Sequence, residues 1–197
     1  MRLVVFDDFM QKLVLARQVR FEKGSVSLLN KRVVMFNSSF FSCFINRNHE
    51  EPKQMQTLYY SVKDSFSKDF AEGVGKDRQF KFRDFVEWMT GLAMMTGWGV
   101  FSWENLKEDK FEGIIYVEKS PVVMDLKNTA KYPVDHAIRG FIAGGASAAF
   151  KKNIDVVEEK CQALGDKKCR FVFKLSENFD RSDKQILFQL GEKDDKN

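Results

Sequence analysis

The sequence predicts an α/β (α+β) domain in which an antiparallel sheet packs against helices, and three observations carry that prediction. Apolar residues recur at helical spacing in two central stretches, at Leu58, Val62, Phe66 and Phe70, and at Phe82, Phe85, Val86, Met89, Leu92 and Ala93. The second half carries strand-like runs, WGVFSW, FEGIIYVEKS, IDVVEEKCQAL and KCRFVFKL. At 197 residues, with 44% hydrophobic residues, 20 Phe and only 3 Pro, the chain can bury one sizeable core and is too apolar to remain disordered.

Taken in order, Phe6, Phe9, Met10 and Leu13 recur at helical spacing behind Asp7 and Asp8, acids that suit the positive end of a first helical turn. From Val19 apolar residues flank Gly24-Ser25 and Asn30-Lys31, as in hairpin strands with turns between them. Ser38 and Ser39 are placed to cap the helix that begins SSFFSCFINRN. EGVGKDR ends the helix built on Leu58 to Phe70, and Gly97 and Gly99 stop the one built on Phe82. ENLKEDK is expected as a charged link between two strands, the second closed by Pro121.

Pro133 then opens VDHAIRGFIAGGASAAF. Glycine costs about 1 kcal/mol against alanine inside a helix, so Gly140, Gly144 and Gly145 predict close backbone approach, with helix-on-sheet packing as the simplest source. A last apolar patch, Ile186 to Leu190, precedes a charged tail. The chain divides into 1–50, an N-terminal helix, β-hairpin and start of a helical layer; 51–175, the core of a single domain; and 176–197, a C-terminal extension.

The net charge of +4 arises from 32 basic and 28 acidic residues mixed along the chain, which forms no basic stripe and argues against nucleic acid. The apolar runs break well short of the ~20 residues a membrane span needs. The start, MRLVVFDDF, carries two acids where a signal peptide continues apolar, so a cytoplasmic location is expected. With 3 Cys and Cys43 inside an apolar stretch, a metal or buried thiols are better readings than a disulfide framework. There is no phosphate loop, GxSxG elbow or nucleotide fingerprint, and GFIAGG lies inside a helix, so turnover that depends on a nucleotide cofactor lacks a place to bind it.

The segment EEKCQALGDKKCRF carries the most chemistry. With a loop at Leu164-Gly165-Asp166, pairing Ala163 with Lys167 sets Cys161 opposite Cys169. Such residues have Cβ atoms about 4.5–5.5 Å apart, close enough for two thiolates to share a metal and wide for an unstrained disulfide. Zinc suits two sulfurs completed by nitrogen or carboxylate. Glu158 is three residues before Cys161, an odd offset that a regular strand places on the opposite face, so a bulge or a turn out of the strand is needed to unite them. Glu159 has the better parity. Spacing alone leaves a metal clamp and a pair of packed thiols both open.

The succession YVEKSP, RGFIAGGASAAF and IDVVEEKCQALGDKKCRFVF resembles the 4-vinyl reductase (V4R) domain family, most strongly from Gly97 to Lys174. That family comprises small-molecule-binding domains, including aromatic-sensing domains of bacterial activators. It shares the nitric-oxide-signalling and Golgi-transport ligand-binding fold with heme-based sensors and TRAPP subunits. The resemblance implies a structural zinc on Glu158, Cys161 and Cys169. In the zinc-binding branch a further cysteine lies five residues before the first glycine of the helix. Here that position is Asp135, with His136 beside it, so one of these two is the implied fourth ligand.

The resemblance further implies a homodimer and an apolar cavity for a small apolar or aromatic ligand, with Phe101, Trp103, Tyr116, Tyr132 and Phe141 as candidate lining. Phenol-sensing relatives use a histidine and a tryptophan there; the matching strand Ile114 to Ser120 has no tryptophan, so phenol specificity is not implied. His49, in NRNHEEPK, reads as a solvated loop residue. The expected function is sensing or carriage, the alternatives being action on a tetrapyrrole vinyl group or a TRAPP-like scaffold role.

Overall fold

The computed structural model describes residues 19–28, 31–73, 81–127 and 129–192. The expected helix at Phe6 to Leu13, the Asn30 end of the second turn, the EGVGKDR stop beyond Gly73 and the last five residues of the tail lie outside them.

Strands β1 (Val19–Glu22), β2 (Ser25–Leu28) and β3 (Lys31–Val33) form an antiparallel meander. Gly24 supplies the positive φ of 80° in its first turn. Helix α1 (Ser38–Asn48) is capped one residue earlier than expected: Asn37, not a serine, accepts from the Ser39 N–H at 3.1 Å. Helices α2 (Pro52–Gly73) and α3 (Phe82–Met95) fall on the two predicted stretches.

The main sheet is antiparallel, in the order β4-β5-β7-β6. β4 (Val100–Lys107) runs through most of the stretch expected as a link, and only the 3-10 turn Glu108–Lys110 separates it from β5 (Glu112–Glu118). The charges of ENLK are compatible with a strand because β4 is an edge whose far half faces water. Pro121 does more than close β5: it begins helix α4 (Pro121–Leu126), where its missing N–H costs nothing. Helix α5 (His136–Phe150) follows, then β6 (Ile154–Lys160), β7 (Cys169–Leu175) and helix α6 (Lys184–Leu190), capped by Asp183.

Alternation along β5 and β7 places Gly113, Ile115, Val117, Cys169, Phe171 and Phe173 in the core, while their neighbours are half-buried on the other face. Phe82 of α3 stacks on Phe173 and Phe150, joining helix layer to sheet. The glycines of α5 serve helix-on-helix packing instead of the expected helix-on-sheet contact. A Cβ on Gly140 would lie 2.5 Å from the Tyr59 carbonyl of α2, and one on Gly144 would run into the Lys63 carbonyl a turn later. α2 therefore packs backbone to backbone on α5.

β6 is the other edge of the sheet, yet side chains cover its outward backbone groups. The Ile154 N–H and C=O meet Ser147 Oγ; the Val156 N–H donates to Tyr59 Oη and its carbonyl accepts from Arg139 Nε; both Glu158 groups meet Gln189. A polar group left bare there would cost about 1–3 kcal/mol.

Candidate metal centre

The β6–β7 register pairs Lys160 with Arg170, and one further step sets Cys161 against Cys169, the juxtaposition the loop predicted. A 3-10 turn, Gln162–Leu164, and Gly165 at a φ of 99° close the loop. Upstream, Glu158 pairs with Phe171, so the register shifts by one residue across Glu159. That bulge brings Glu158 to the face used by Cys161 and resolves its parity. Glu159, the alternative by parity, forms an ion pair with Arg170, whose side chain is 22% exposed.

A Glu158 carboxylate oxygen and the sulfurs of Cys161 and Cys169 lie within 4.8 Å of one another, all buried. Asp135, just before α5, adjoins them. Its N–H donates to Glu158 Oε2 at 3.1 Å and its Oδ1 accepts from Ser120 Oγ at 2.6 Å. The loop is braced from behind: the Cys161 N–H donates to Asp166 Oδ2 and the Gln162 N–H to Cys169 Sγ. Beyond the neighbouring thiols, Glu158 Oε1 and Asp135 Oδ2 are buried without a hydrogen-bond partner.

Burial pushes the Asp135 carboxyl up to about 6, against hydrogen bonds from Ser120 and Cys169 that favour its charge. Burial drives Glu158 well above the ordinary carboxylate range, and the Cys161 sulfur and Asp135 push the same way. Their mutual hydrogen bond lowers Cys161 and raises Cys169, so Cys161 ionises first of the two. Acids crowded out of water resist ionisation; a divalent cation among them inverts the balance, because each donor then gains by losing its proton. Two sulfurs and the Glu158 carboxylate are zinc-compatible donors; Asp135 adjoins this group without belonging to it, and the bare oxygens of the two carboxylates are atoms such an ion would satisfy.

His136 is engaged through Nδ1, and its buried Nε2 has no hydrogen-bond partner. Arg139 Nη1 donates to its Nδ1 at 2.7 Å, and burial followed by the Arg139 charge holds the ring neutral, its pKa well below the usual histidine range. His49 is not a solvated loop residue: it is 7% exposed and its N–H closes α1 on the Ile45 carbonyl.

The five aromatic residues expected around one cavity stand in separate places. Phe101 and Phe141 are core, Phe141 lying 4.3 Å from Phe66 between ring centres. Trp103 donates from Nε1 to Thr90 Oγ1 and packs edge-on to Phe173. Tyr116 belongs to the outer face of β5, and Tyr132, 40% exposed, stacks on Phe188. A separate groove of about 160 Å³ opens between Phe36, Phe41, Trp98, Pro121 and Val122, with Ser38 and Thr96 as its polar members. Ser120, Arg139 and Gln189 were not singled out from sequence. The signal for the last two was a polar side chain on an apolar helix face, Arg139 in AIRGF and Gln189 in ILFQL.

The fold and centre together define an α+β domain whose antiparallel sheet is covered by helices and whose last hairpin carries a buried Glu-Cys-Cys cluster. Residues 114–175, which run from within β5 to the end of β7, match the V4R domain. A protein of Methanocaldococcus jannaschii described as uncharacterized is 40% identical over 78 residues. That match takes in 34% of this chain and 34% of the relative, so the chain spans about a third of the relative's length. The fold is similar to the phenol-responsive sensory domain of the transcription activator PoxR, solved with phenol. That comparison has a TM-score of 0.75 and 17% identity, covering 93% of this chain and 96% of that one. It is also similar to trafficking protein particle complex subunit 3 of Naegleria fowleri, covalently bound to palmitic acid. The TM-score is 0.52 with 15% identity, over 71% of this chain and 92% of that one. Among the described residues no helix is long and apolar enough to cross a membrane.

Proposed function

We propose that this chain is a small-molecule-binding sensor or carrier domain whose last hairpin is fastened to the start of α5 by a structural zinc ion. The observation that carries the reading is the buried cluster of Glu158, Cys161 and Cys169 with the bare carboxylate oxygens of Glu158 and Asp135. Asp135 is the fourth ligand, because its N–H already bonds the Glu158 carboxylate and its Oδ2 is bare, while the Arg139 bond to His136 Nδ1 leaves the neutral ring's proton on Nε2 and so closes both nitrogens to a metal. Four protein ligands leave no open position for water, which makes the ion structural and not catalytic.

The ligand is small and apolar or aromatic. Support comes from the similarity of fold to a phenol-responsive sensory domain and from the aromatic groove at Phe36, Phe41 and Trp98. A cavity of about 150 Å³ accommodates a benzene ring. Native mass spectrometry of the full chain purified from its own host tests metal, ligand and homodimer together. Expected are one zinc per chain and a copurified small molecule; a bare polypeptide mass at neutral pH overturns the reading in favour of a scaffold role. Phenol titration followed by tryptophan fluorescence tests the groove, with loss of the response in Phe41→Ala as the expected result.

A further inference from the structure

The C-terminal helix grips the one metal ligand that comes from a bulge. Gln189 is fully buried, and its carboxamide pairs with both backbone groups of Glu158: the Glu158 N–H donates to Oε1 and Nε2 donates to the Glu158 carbonyl, each at 2.9 Å. Gln185 Nε2 adds a bond of 3.1 Å to that carbonyl. The carboxamide takes the position a peptide group of a fifth strand would occupy. It holds the last residue before the register shift between Glu158 and Lys160, where the backbone has least to keep it in line.

The same helix is tied in from the other side. Arg139 Nη2 donates to the Gln189 carbonyl at 2.9 Å, and Arg139 Nε holds Val156 two residues before Glu158. One guanidinium therefore fixes both α6 and the strand that presents the ligand. Tyr60 Oη and Arg181 Nη1 both donate to the Leu190 carbonyl, and Gln56 donates to Leu187 and Phe188. α6 is thus docked on two sides, to the strand that presents Glu158 through Gln189 and Gln185, and to α2 and Arg181 through its last carbonyls.

We propose that Gln189 is a positioning residue for the metal centre, and that zinc binding and docking of the C-terminal helix form one coupled equilibrium. The proposal rests on the metal reading above. Without the carboxamide, the Glu158 backbone loses two bonds and the bulge is free to slide, carrying the carboxylate out of a site whose ligand distances tolerate little change. Coupling is reciprocal: if docking α6 strengthens zinc binding, zinc strengthens docking by the same factor. The metal state is then expressed at the exposed residues of α6, Lys184, Gln185 and Leu187, away from the buried centre.

The test uses the full chain, the Gln189→Leu variant, which keeps bulk and loses both bonds, and Cys161→Ser, which removes a ligand. Zinc affinity is read by competition with a chromophoric chelator, and docking by amide hydrogen exchange over 184–190 with zinc and after chelation. Gln189→Leu is expected to weaken zinc binding about 10–100-fold, the usual range for residues that orient a ligand. In the unaltered protein, chelation is expected to speed exchange across α6; in Cys161→Ser, α6 exchanges fast with or without zinc. An unaltered protein that binds zinc but shows the same α6 exchange after chelation overturns the coupling and leaves the metal centre standing. One that takes up no zinc removes both. If Gln189→Leu does not fold, the exchange comparison in the unaltered protein decides alone.

Discussion

Replacing Asp155 with asparagine is expected to destabilise the fold by about 3–5 kcal/mol at neutral pH, the usual loss when one partner of a buried ion pair is removed. Asp155 is 1% exposed and accepts four bonds: from Tyr59 Oη and Lys63 Nζ at 2.7 Å, from Ser176 Oγ at 2.6 Å and from Arg181 Nη2 at 3.1 Å. The Asp155→Asn variant would keep the shape but leave the Lys63 and Arg181 charges, at 9% and 12% side-chain exposure, without their carboxylate. The loss carries a pH signature. Burial acts to raise the Asp155 pKa, but the Lys63 charge and the bonds from Lys63, Ser176 and Tyr59 outweigh it, so the net value lies below the ordinary 3.8. A depressed carboxyl stabilises the fold fully above its unfolded pKa, near 4, and loses that contribution as pH falls through the folded value. Urea titrations of both proteins from pH 7 to pH 3 give the difference directly, and proton-linked metal loss, common to both, cancels. A gap below about 1 kcal/mol at pH 7, or one that does not narrow in acid, refutes the assignment of Asp155 as the charged keystone of α2, β6 and the C-terminal segment.

Cys161→Ser is expected to abolish stoichiometric zinc and lower the melting temperature; an unchanged melt in both proteins with and without chelator removes the metal centre. Asp135→Ala is expected to weaken zinc binding more than His136→Ala, read by metal competition, and the reverse order reassigns the fourth ligand to the histidine. Gly144→Ala places a methyl against the Lys63 carbonyl and the Ser67 nitrogen of α2, so a loss of about 1–3 kcal/mol in urea titration is expected, where an open helical site would gain stability.

What the sequence disclosed and what it hid divide along the range of the forces involved. The Cys161–Cys169 register was legible because a short loop and the strand period of two determine it locally, and the odd offset of Glu158 demanded the bulge that β6 contains. The glycines of α5 announced a close approach but not its partner, since backbone contact with α2 depends on residues about 80 positions earlier. Helix α4 was missed because PVVMDL is too short to show a period. His49 read as polar surface, and only tertiary packing, invisible in NRNHEEPK, removes it from water. Aromatic composition does not by itself locate a ligand pocket, because a ring filling the core and a ring lining a cavity have the same sequence signature.

The polar covering of β6 constrains how copies of this domain can associate. With the outward N–H and C=O groups of Ile154, Val156 and Glu158 already engaged, that edge offers no template for a strand from another molecule. Growth of the sheet is left to β4, where the register breaks between Glu104 and Lys107 and the exposed half carries charge. Association of two copies by strand pairing at β6 is thereby closed, and a misfolded copy that loses α6 would uncover at Glu158 a sheet edge that the native fold keeps sealed.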